Sequence, residues 1–255
     1  MSLRVVITGA SSGIGEALAV EYAQRGAQLG LIARRGDRLR ALSAKLKADT
    51  ALYALDVRDS SALQRAARDY CDRFGGADVV VASAGVGVGT LTERAEDRAL
   101  FQEILDINVM GMLNTFQPFV AAMRAAGAGT LVGIASVAGF RGLPGSGAYC
   151  ASKAAVIAYL EALRVELRGT GVAVVTISPG YIATPMTEKN PYPMPFLMRA
   201  DRAAKRMVDA IERRTRHVVV PWQMGVVGLL LKMMPRVVHD AAFARAPRKP
   251  RRETG

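Results

Sequence analysis

The amino-acid sequence predicts an α/β fold, a doubly wound parallel sheet with helices on both faces. Three observations support this prediction. Short, continuous apolar segments alternate with longer segments whose apolar residues recur at helical spacing. A glycine-rich turn follows the first apolar segment, where a helix should begin. The chain has 255 residues, of which 51% are hydrophobic, so it is long enough to bury one large core.

Seven segments are predicted as strands because they are apolar and mostly lack the alternation of half-exposed strands. They are residues 3–8, 28–33, 51–57, 78–83, 130–136, 172–178 and 217–220. Helices are expected between them, for example at residues 15–25, 37–47, 60–74 and 148–168. Right-handed crossovers then give the sheet order 3-2-1-4-5-6-7, a Rossmann-type arrangement in which ligands bind at the carboxyl ends of the strands.

The turn after the first strand has the glycine spacing G-x-x-x-G-x-G at residues 9–15. Glycines let the backbone approach a phosphate closely. The following helix offers free N–H groups and the positive end of its dipole to an anion. We therefore predict that this turn binds the pyrophosphate of a dinucleotide through Gly9, Ser11, Ser12, Gly13, Ile14 and Gly15.

Three side chains farther along the chain form a pattern suited to proton transfer. Tyr149 and Lys153 stand four residues apart, which places them on one face of a predicted helix. Ser136 ends a predicted strand and precedes the tyrosine by thirteen residues. A free tyrosine has a pKa of about 10, and a nearby ammonium group lowers that pKa. We predict that Tyr149 donates the proton in carbonyl reduction and accepts it in oxidation, while Ser136 holds the substrate oxygen and Lys153 lowers the tyrosine pKa.

With these motifs, the chain resembles the short-chain dehydrogenase/reductase family over nearly its whole length. The segments LDINVMG and SPGYIATPM also occur in the family's order. The resemblance implies a nicotinamide-dependent oxidoreductase, in which Lys153 hydrogen-bonds the nicotinamide ribose as well. It also implies a role for Asn108, which in the family kinks its helix and anchors a water that joins the lysine to solvent. The assembly we expect is a homodimer or a homotetramer.

The end of the second predicted strand favours NADP(H) over NAD(H). Enzymes of this fold that use NAD usually have an acidic residue there, which binds the ribose 2′-hydroxyl. This chain instead has Ala33 followed by Arg34 and Arg35. Guanidinium groups match the 2′-phosphate of NADP, which a carboxylate would repel. The alternative is that one of the two arginines only faces solvent.

The resemblance implies further cofactor contacts at the ends of the later strands. Asp56 resembles the family's adenine-contacting aspartate, and Thr184 resembles the residue that holds the nicotinamide carboxamide. Pro179 and Gly180 resemble the turn beneath that ring. Ser83 stands where the family usually has asparagine, which we interpret as a structural variation. The expected set is completed by Val57, Ala84, Gly85 and Ile182.

The bulk composition excludes several other classes of protein. Half of the net charge of +12 lies within residues 232–252, whereas a nucleic-acid-binding protein would spread it over a groove-sized face. Cys71 and Cys150 are too few for a disulfide framework, and His217 and His239 are isolated, so no metal site is expected. The chain lacks an apolar run of 18 residues and enters its first strand at once. We therefore expect a cytoplasmic protein with no membrane span or signal peptide.

The C-terminal part of the chain bears on the substrate. Prolines interrupt residues 181–200, where the family has its substrate lid, and methionines there favour a lipophilic carbonyl substrate. An apolar stretch at 222–234 either packs against the body or a partner subunit, or lies peripherally on a membrane. We expect one domain over residues 1–235. The basic tail, residues 236–255, is expected to be solvated and partly disordered.

Two alternatives from other classes stay open at this level. A nucleotide-binding regulator would keep the fold without turnover, although the intact set of Ser136, Tyr149 and Lys153 argues against it. A basic nucleic-acid-binding protein is disfavoured because the excess charge is confined to the tail.

Overall fold

The computed structural model describes residues 2–188 and 190–251, and its centre is a parallel sheet. The strands of this sheet are β1 (Arg4–Thr8), β2 (Gln28–Ala33), β3 (Thr50–Ala54), β4 (Val79–Ala82), β5 (Gly129–Ile134), β6 (Val172–Pro179) and β9 (His217–Val220). They pair in the order β3-β2-β1-β4-β5-β6-β9, which confirms the predicted topology. The seventh strand of the sheet is the ninth in the chain because β7 (Ile182–Ala183) and β8 (Met198–Arg199) form a separate small pair before it.

Helices connect the strands and follow the last of them. Their bounds are α1 (Gly13–Gln24), α2 (Gly36–Ser43), α3 (Ser60–Phe74), α4 (Asp97–Leu105), α5 (Gly111–Ala126), α6 (Gly147–Glu166), α7 (Pro185–Glu188), α8 (Ala200–Glu212), α9 (Trp222–Met233) and α10 (Arg236–Phe243). A π-helical segment, Asp106–Met110, joins α4 to α5. Among the described residues, none of the helices has the length and apolar character needed to cross a bilayer.

A separate hydrophobic core lies on each face of the sheet. Successive residues of β1 show the division, since Val5 and Ile7 belong to one core and Val6 belongs to the other. The first core contains side chains of α1 and α8, and the second contains side chains of α3, α5 and α6. Because both faces are buried, the central strands need apolar residues at every position, which explains their continuous apolar runs.

Strand β5 ends earlier than the sequence predicted. The predicted strand reached Ser136, whereas the observed one ends at Ile134. Ser136 instead caps a short 3₁₀ turn, Val137–Gly139, and its hydroxyl accepts a hydrogen bond from the N–H of Ala138 at 3.1 Å. This local bond competes with continued sheet pairing, so the chain leaves the sheet just before the serine.

The basic tail also differs from the solvated segment that the sequence led us to expect. Its first part forms α10, and residues 247–251, which we call the C-terminal strap, pack against the domain. The N–H of Gly89 donates to the carbonyl oxygen of Pro250 at 2.8 Å, and Arg251 forms an ion pair with the buried carboxylate of Asp97 at 2.8 Å. These specific contacts hold the strap against the protein despite its charge. Arg252 of the predicted tail and Lys189 of the predicted lid lie outside the described residues.

Candidate active site

A cleft of about 410 Å³ opens at the carboxyl ends of the central strands. All of the residues predicted to contact the cofactor line this cleft, and so do Ser136, Tyr149 and Lys153. The structure therefore brings together residues that are up to 175 positions apart, from Gly9 to Thr184. Asn108 is the exception, because it lies behind the lining and contacts it through hydrogen bonds.

The glycine turn is shaped by two close approaches of the backbone. Gly9 and Gly13 have positive φ angles of 71° and 63°, which side chains disfavour. A Cβ atom added to Gly15 would overlap the carbonyl oxygen of Gly9, and one added to Gly9 would lie 2.8 Å from the backbone of Ala84. The turn after β1 therefore packs directly on the turn after β4, which explains why only small residues fit at both places.

This end of the cleft fits the phosphates of a dinucleotide. Ser12 is the N-cap of α1 but makes no side-chain capping hydrogen bond, so the first turn of the helix presents its N–H groups to the cleft. Arg35 adds a positive charge beside them. Its Nη2 atom donates to the hydroxyl oxygens of Ser11 and Ser12 at 3.0 and 2.8 Å. Uncapped N–H groups and a guanidinium are the donors that phosphate oxygens require.

The other predicted phosphate-reading residue, Arg34, stands farther out. Its side chain is 57% exposed, and its Nη1 atom lies 3.9 Å from Asp56. Asp56 makes its closer contacts with Arg58, whose Nη2 donates at 2.7 Å. This hydrogen bond is the main reason that the pKa of Asp56 is lowered. Arg58 was not predicted to contact Asp56, although its position two residues after the aspartate was the available signal.

Tyr149 and Ser136 meet at the inner end of the cleft. Capping of the 3₁₀ turn fixes the Ser136 side chain, whose Oγ also lies 3.4 Å from the carbonyl oxygen of Pro179. Burial raises the pKa of the Tyr149 phenol, and a hydrogen bond with Ser136 opposes that rise. The phenol is thus protonated at neutral pH, which is the state that a proton donor needs.

Lys153 lies one helical turn after the tyrosine and is almost fully buried. Its Nζ atom donates to the carbonyl oxygen of Ile134 at 2.8 Å and lies 5.8 Å from the centre of the Tyr149 ring. Burial lowers the pKa of this lysine to about 8. We expected Lys153 to lower the tyrosine pKa, but burial is the main influence on that pKa in the structure and raises it.

Asn108 sits in the π-helical segment between α4 and α5 and is fully buried. Its Oδ1 accepts from the N–H of Val86 at 2.8 Å, and its Nδ2 donates to the carbonyl oxygen of Val86 and to the Ser152 hydroxyl. The asparagine therefore ties the loop after β4 to α6, the helix that carries Tyr149 and Lys153. The irregular helix allows this because it turns the side chain inward.

Within the predicted lid, the carbonyl oxygen of Thr184 accepts the N–H groups of Thr187 and Glu188 of α7. Several lining residues were not among the predicted site residues, and most of them are apolar or small residues that carry no chemical signature. They are Ala33, Leu55, Val86, Ile107, Ile134, Ala135, Pro185, Met186 and Thr187.

The contact between Tyr149 and Lys249 of the C-terminal strap was also not predicted. The position of this lysine in the sequence gives no indication that its ammonium group lies beside the tyrosine ring.

Comparison with known proteins agrees with this geometry. The family profile described as short chain dehydrogenase matches residues 4–193. An uncharacterized oxidoreductase of Myxococcus xanthus is 40% identical over 249 residues, which cover 96% of this chain and 98% of the relative. The 11-beta-hydroxysteroid dehydrogenase A of Sesamum indicum is 30% identical over 273 residues, which cover 98% of this chain and 78% of the relative.

Solved structures show the same architecture. An alcohol dehydrogenase from the archaeon Thermococcus sibiricus, complexed with 5-hydroxy-NADP, superposes with a TM-score of 0.75 and is 26% identical. The alignment covers 86% of this chain and 96% of that protein. The chain therefore belongs to the short-chain dehydrogenase/reductase family. It is an NAD(P)-dependent oxidoreductase.

Proposed function

We propose that the protein is an NADP(H)-dependent carbonyl reductase that converts a lipophilic ketone or aldehyde to an alcohol. The observation that carries this proposal is the meeting of Ser136, Tyr149 and Lys153 at one end of a cleft whose other end fits phosphates. Bound NADPH supplies a hydride in such enzymes. The side chains of this chain then have to hold the carbonyl, deliver a proton and orient the nucleotide.

Each of the three side chains has a distinct proposed role. Ser136 donates a hydrogen bond to the substrate oxygen. Its side chain is buried and is held in place because it caps the 3₁₀ turn, so it is oriented before the substrate binds. Tyr149 gives its phenolic proton to the same oxygen as negative charge develops there, and accepts it back in oxidation. Lys153 hydrogen-bonds the nicotinamide ribose and places a positive charge near the tyrosine. Asn108 positions both helix residues through Ser152.

The proposed substrate class rests on the surface of the lid. Met186, Phe196 and Leu197 are all at least 40% exposed, and Met186 also lines the cleft. Flexible and apolar side chains of this kind adapt to irregular apolar ligands. The steroid dehydrogenase among the relatives is named for a lipophilic substrate, which supports the same class.

A carbonyl series of graded chain length tests the proposed function. Aldehydes and methyl ketones of increasing length are offered with NADPH, and the loss of cofactor is followed. We expect kcat/KM to rise with each added methylene, because each buried CH₂ contributes about 0.8 kcal/mol. Binding of NADPH without oxidation by any carbonyl compound would instead favour the alternative, a regulator that binds nucleotide without turnover.

Two arginines at the end of β2 are proposed to select NADPH over NADH. Replacing Arg34 and Arg35 by alanine should weaken NADPH binding by about 2–3 kcal/mol, the scale of hydrogen bonds to charged groups. This corresponds to at least about thirtyfold in Kd. NADH binding should change little, because NADH lacks the 2′-phosphate. Arg35→Ala alone should account for most of the effect, since the Arg34 side chain is 57% exposed and lies beside Asp56. Titration calorimetry with both cofactors measures this.

The matched control for that pair is Arg38→Ala. Arg38 is an exposed arginine of α2 that does not line the cleft, so its loss should leave both affinities unchanged. An equal loss of NADPH and NADH affinity in the double variant would contradict selection by the 2′-phosphate. It would mean that the arginines support the fold of the turn.

Two exposed apolar surfaces support proposals about partners. Phe101, Met110 and Leu113, on α4, the π-helical segment and α5, are each more than a third exposed, and we propose that they pack against a second copy in a homodimer or homotetramer. Light scattering measures the resulting mass.

The second surface, which we call the C-terminal apolar face, lies on α9 and α10. Its side chains are Trp222, Val226, Leu229, Leu230, Met233, Val237 and Val238.

We propose that the C-terminal apolar face brings a cytoplasmic enzyme to a membrane surface. Lys232 and Arg236 are exposed on the same two helices, which suits anionic headgroups. Co-sedimentation with vesicles should then occur with anionic lipids, weaken with salt, and fall for the variant Leu229→Gln/Leu230→Gln. The basic residues contribute roughly 1 kcal/mol each near such a surface. Absence of binding to anionic vesicles at low salt would contradict membrane contact and leave subunit packing as the role of this face.

A further inference from the structure

The C-terminal strap crosses the loop after β4 close to the proposed catalytic tyrosine. Gly89 of that loop pairs with Arg251 in a parallel bridge, and its N–H donates to the carbonyl oxygen of Pro250. A Cβ atom added to Gly89 would overlap the carbonyl oxygen of Lys249. On the other side, one added to Gly145 would lie 2.8 Å from the Cβ of Arg248. Glycines in two separate loops therefore make room for the strap.

A buried carboxylate anchors the end of the strap. The Nε and Nη2 atoms of Arg251 donate to Asp97 at 2.9 and 2.8 Å, and Nη2 also reaches Glu96 at 3.2 Å. The Asp97 side chain is only 4% exposed and accepts the N–H of Leu91 at 2.7 Å. One carboxylate thus binds both the loop and the strap, so the position of residue 249 is fixed with respect to the loop.

This anchoring delivers an ammonium group to Tyr149. The Nζ atom of Lys249 lies 4.8 Å from the centre of the Tyr149 ring. A Cβ atom added to Gly87 would lie 3.0 Å from both this Nζ and the edge of the ring. Among the described residues, no carboxylate forms an ion pair with Lys249. Burial disfavours the charged form of Lys249 and lowers the pKa of its ammonium group. The nearby Cys150 thiol is neutral and offers no counter-charge, because burial raises the pKa of that thiol.

The lysine lies beside the tyrosine but outside the lining of the nucleotide cleft. Tyr149 lines the nucleotide cleft, whereas Lys249 does not. The lid contributes Tyr192 to the same neighbourhood. Burial raises the pKa of Tyr192 to about 12, with smaller contributions from Tyr181 and Tyr149. An unpaired, half-buried cation at this place is costly unless a ligand supplies the anion.

We propose that Lys249 is a specificity-determining residue that binds an anionic group of the substrate, a carboxylate or a phosphate. The substrate is then a lipophilic carbonyl compound that also carries an acidic group, positioned between the apolar lid and the strap. The inference rests on the proposed function, because it takes Tyr149 to face the reacting carbonyl. Arg251 and Asp97 act as positioning residues, since they hold the strap and do not touch the substrate.

Binding of unreactive ligands tests this without requiring turnover. Octanoate, octyl phosphate and 1-octanol share one apolar chain and differ in the head group. Calorimetry on the NADPH-loaded, full-length enzyme should give a Kd for octanoate or octyl phosphate that is at least about tenfold lower than for 1-octanol, the scale of a charged hydrogen bond. The better of the two anions identifies the head group.

Three variants complete the test. Lys249→Met should abolish the preference for the anion and leave 1-octanol binding unchanged. Arg251→Ala should reduce the preference in part, because the strap loses its anchor. Lys205→Met, at an exposed lysine of α8 remote from the cleft, is the matched control and should keep the full preference.

Two results would overturn the inference. One is wild-type enzyme that binds neither anion more tightly than 1-octanol. The other is Lys249→Met enzyme that keeps the preference for the anion over 1-octanol, or that binds all three ligands more tightly than the wild type. Tighter binding of all three would mean that the strap only covers the site. The carbonyl series is extended here by oxo acids of the same chain lengths, which carry the acidic group as well as the carbonyl. Failure of both the neutral and the acidic compounds to oxidise NADPH would contradict the proposed function separately, since these affinities do not depend on turnover.

Discussion

Tyr149→Phe enzyme should lose at least about a hundredfold in kcat, because general acid catalysis typically contributes 10²–10⁴-fold. The substitution removes only the hydroxyl and keeps the ring that packs beside Lys153 and Lys249. NADPH affinity should change by less than about tenfold, since one neutral hydrogen bond contributes about 1 kcal/mol. Steady-state kinetics and a cofactor titration on the same preparation measure the two effects.

Tyr159→Phe provides the matched control for this substitution. Tyr159 lies on the same helix, is half-buried and packs against the hydrophobic core without lining the cleft. Its loss of a hydroxyl should leave kcat and NADPH affinity close to the wild-type values. If Tyr149→Phe enzyme kept more than about a tenth of the wild-type kcat, the tyrosine would not be the main proton donor.

Lys153→Met should separate activity from stability. We expect a loss of turnover of about a hundredfold or more, together with weaker NADPH binding, since the ammonium group is proposed to hold the nicotinamide ribose. The same variant should be more stable to unfolding at pH 7. Burial lowers the pKa of this lysine from 10.5 to about 8, which corresponds to a penalty of about 3 kcal/mol on the charged form.

The sign of the pH effect follows from this lowered pKa. Below pH 8 the folded protein bears the full cost of a buried cation. Between about pH 8 and 10.5 the unfolded chain binds more protons at this residue, so its contribution to the free energy of unfolding rises with pH. The hydrogen bond to Ile134 offsets part of the penalty, which leaves a gain of about 1 kcal/mol for the methionine variant at pH 7.

Urea denaturation of the wild type and the variant at pH 7 and pH 10 measures this difference. The variant should be the more stable protein at pH 7, and its advantage should shrink at pH 10. A variant that is less stable than the wild type at pH 7 would show that the ammonium group supports the fold, and it would contradict the assigned burial cost.

The order of the sheet and the composition of the cleft could be predicted from the sequence. Both depend on local signals, which are continuous apolar strands, a glycine turn and short polar motifs at the strand ends. Gly9 and Ala84 illustrate why these signals suffice, because parallel topology alone brings the turns after β1 and β4 into contact.

The electrostatics of the site and the course of the tail could not be predicted in the same way. The sequence places Lys153 near Tyr149, but only the packed structure reveals that burial raises the pKa of the tyrosine and lowers that of the lysine. The tail was expected to be solvated because its excess of positive charge lies in a segment rich in proline and arginine. The ion pair between Arg251 and Asp97 joins residues 154 positions apart, and no local pattern encodes such a contact.

Deuterium transfer from NADPH is the most direct measurement of the central claim, which is carbonyl reduction by hydride transfer with Tyr149 as the acid. The enzyme is given NADPH that carries deuterium at both C4 positions and the best carbonyl compound of the graded series. Mass spectrometry should find one deuterium on the carbinol carbon of each alcohol formed, in a one-to-one ratio with the cofactor consumed. Tyr149→Phe enzyme should form labelled alcohol at a rate at least about a hundredfold lower than that of the wild type. Bound NADPH that yields no labelled alcohol with any member of the series or with oxo acids of the same chain lengths would contradict the account.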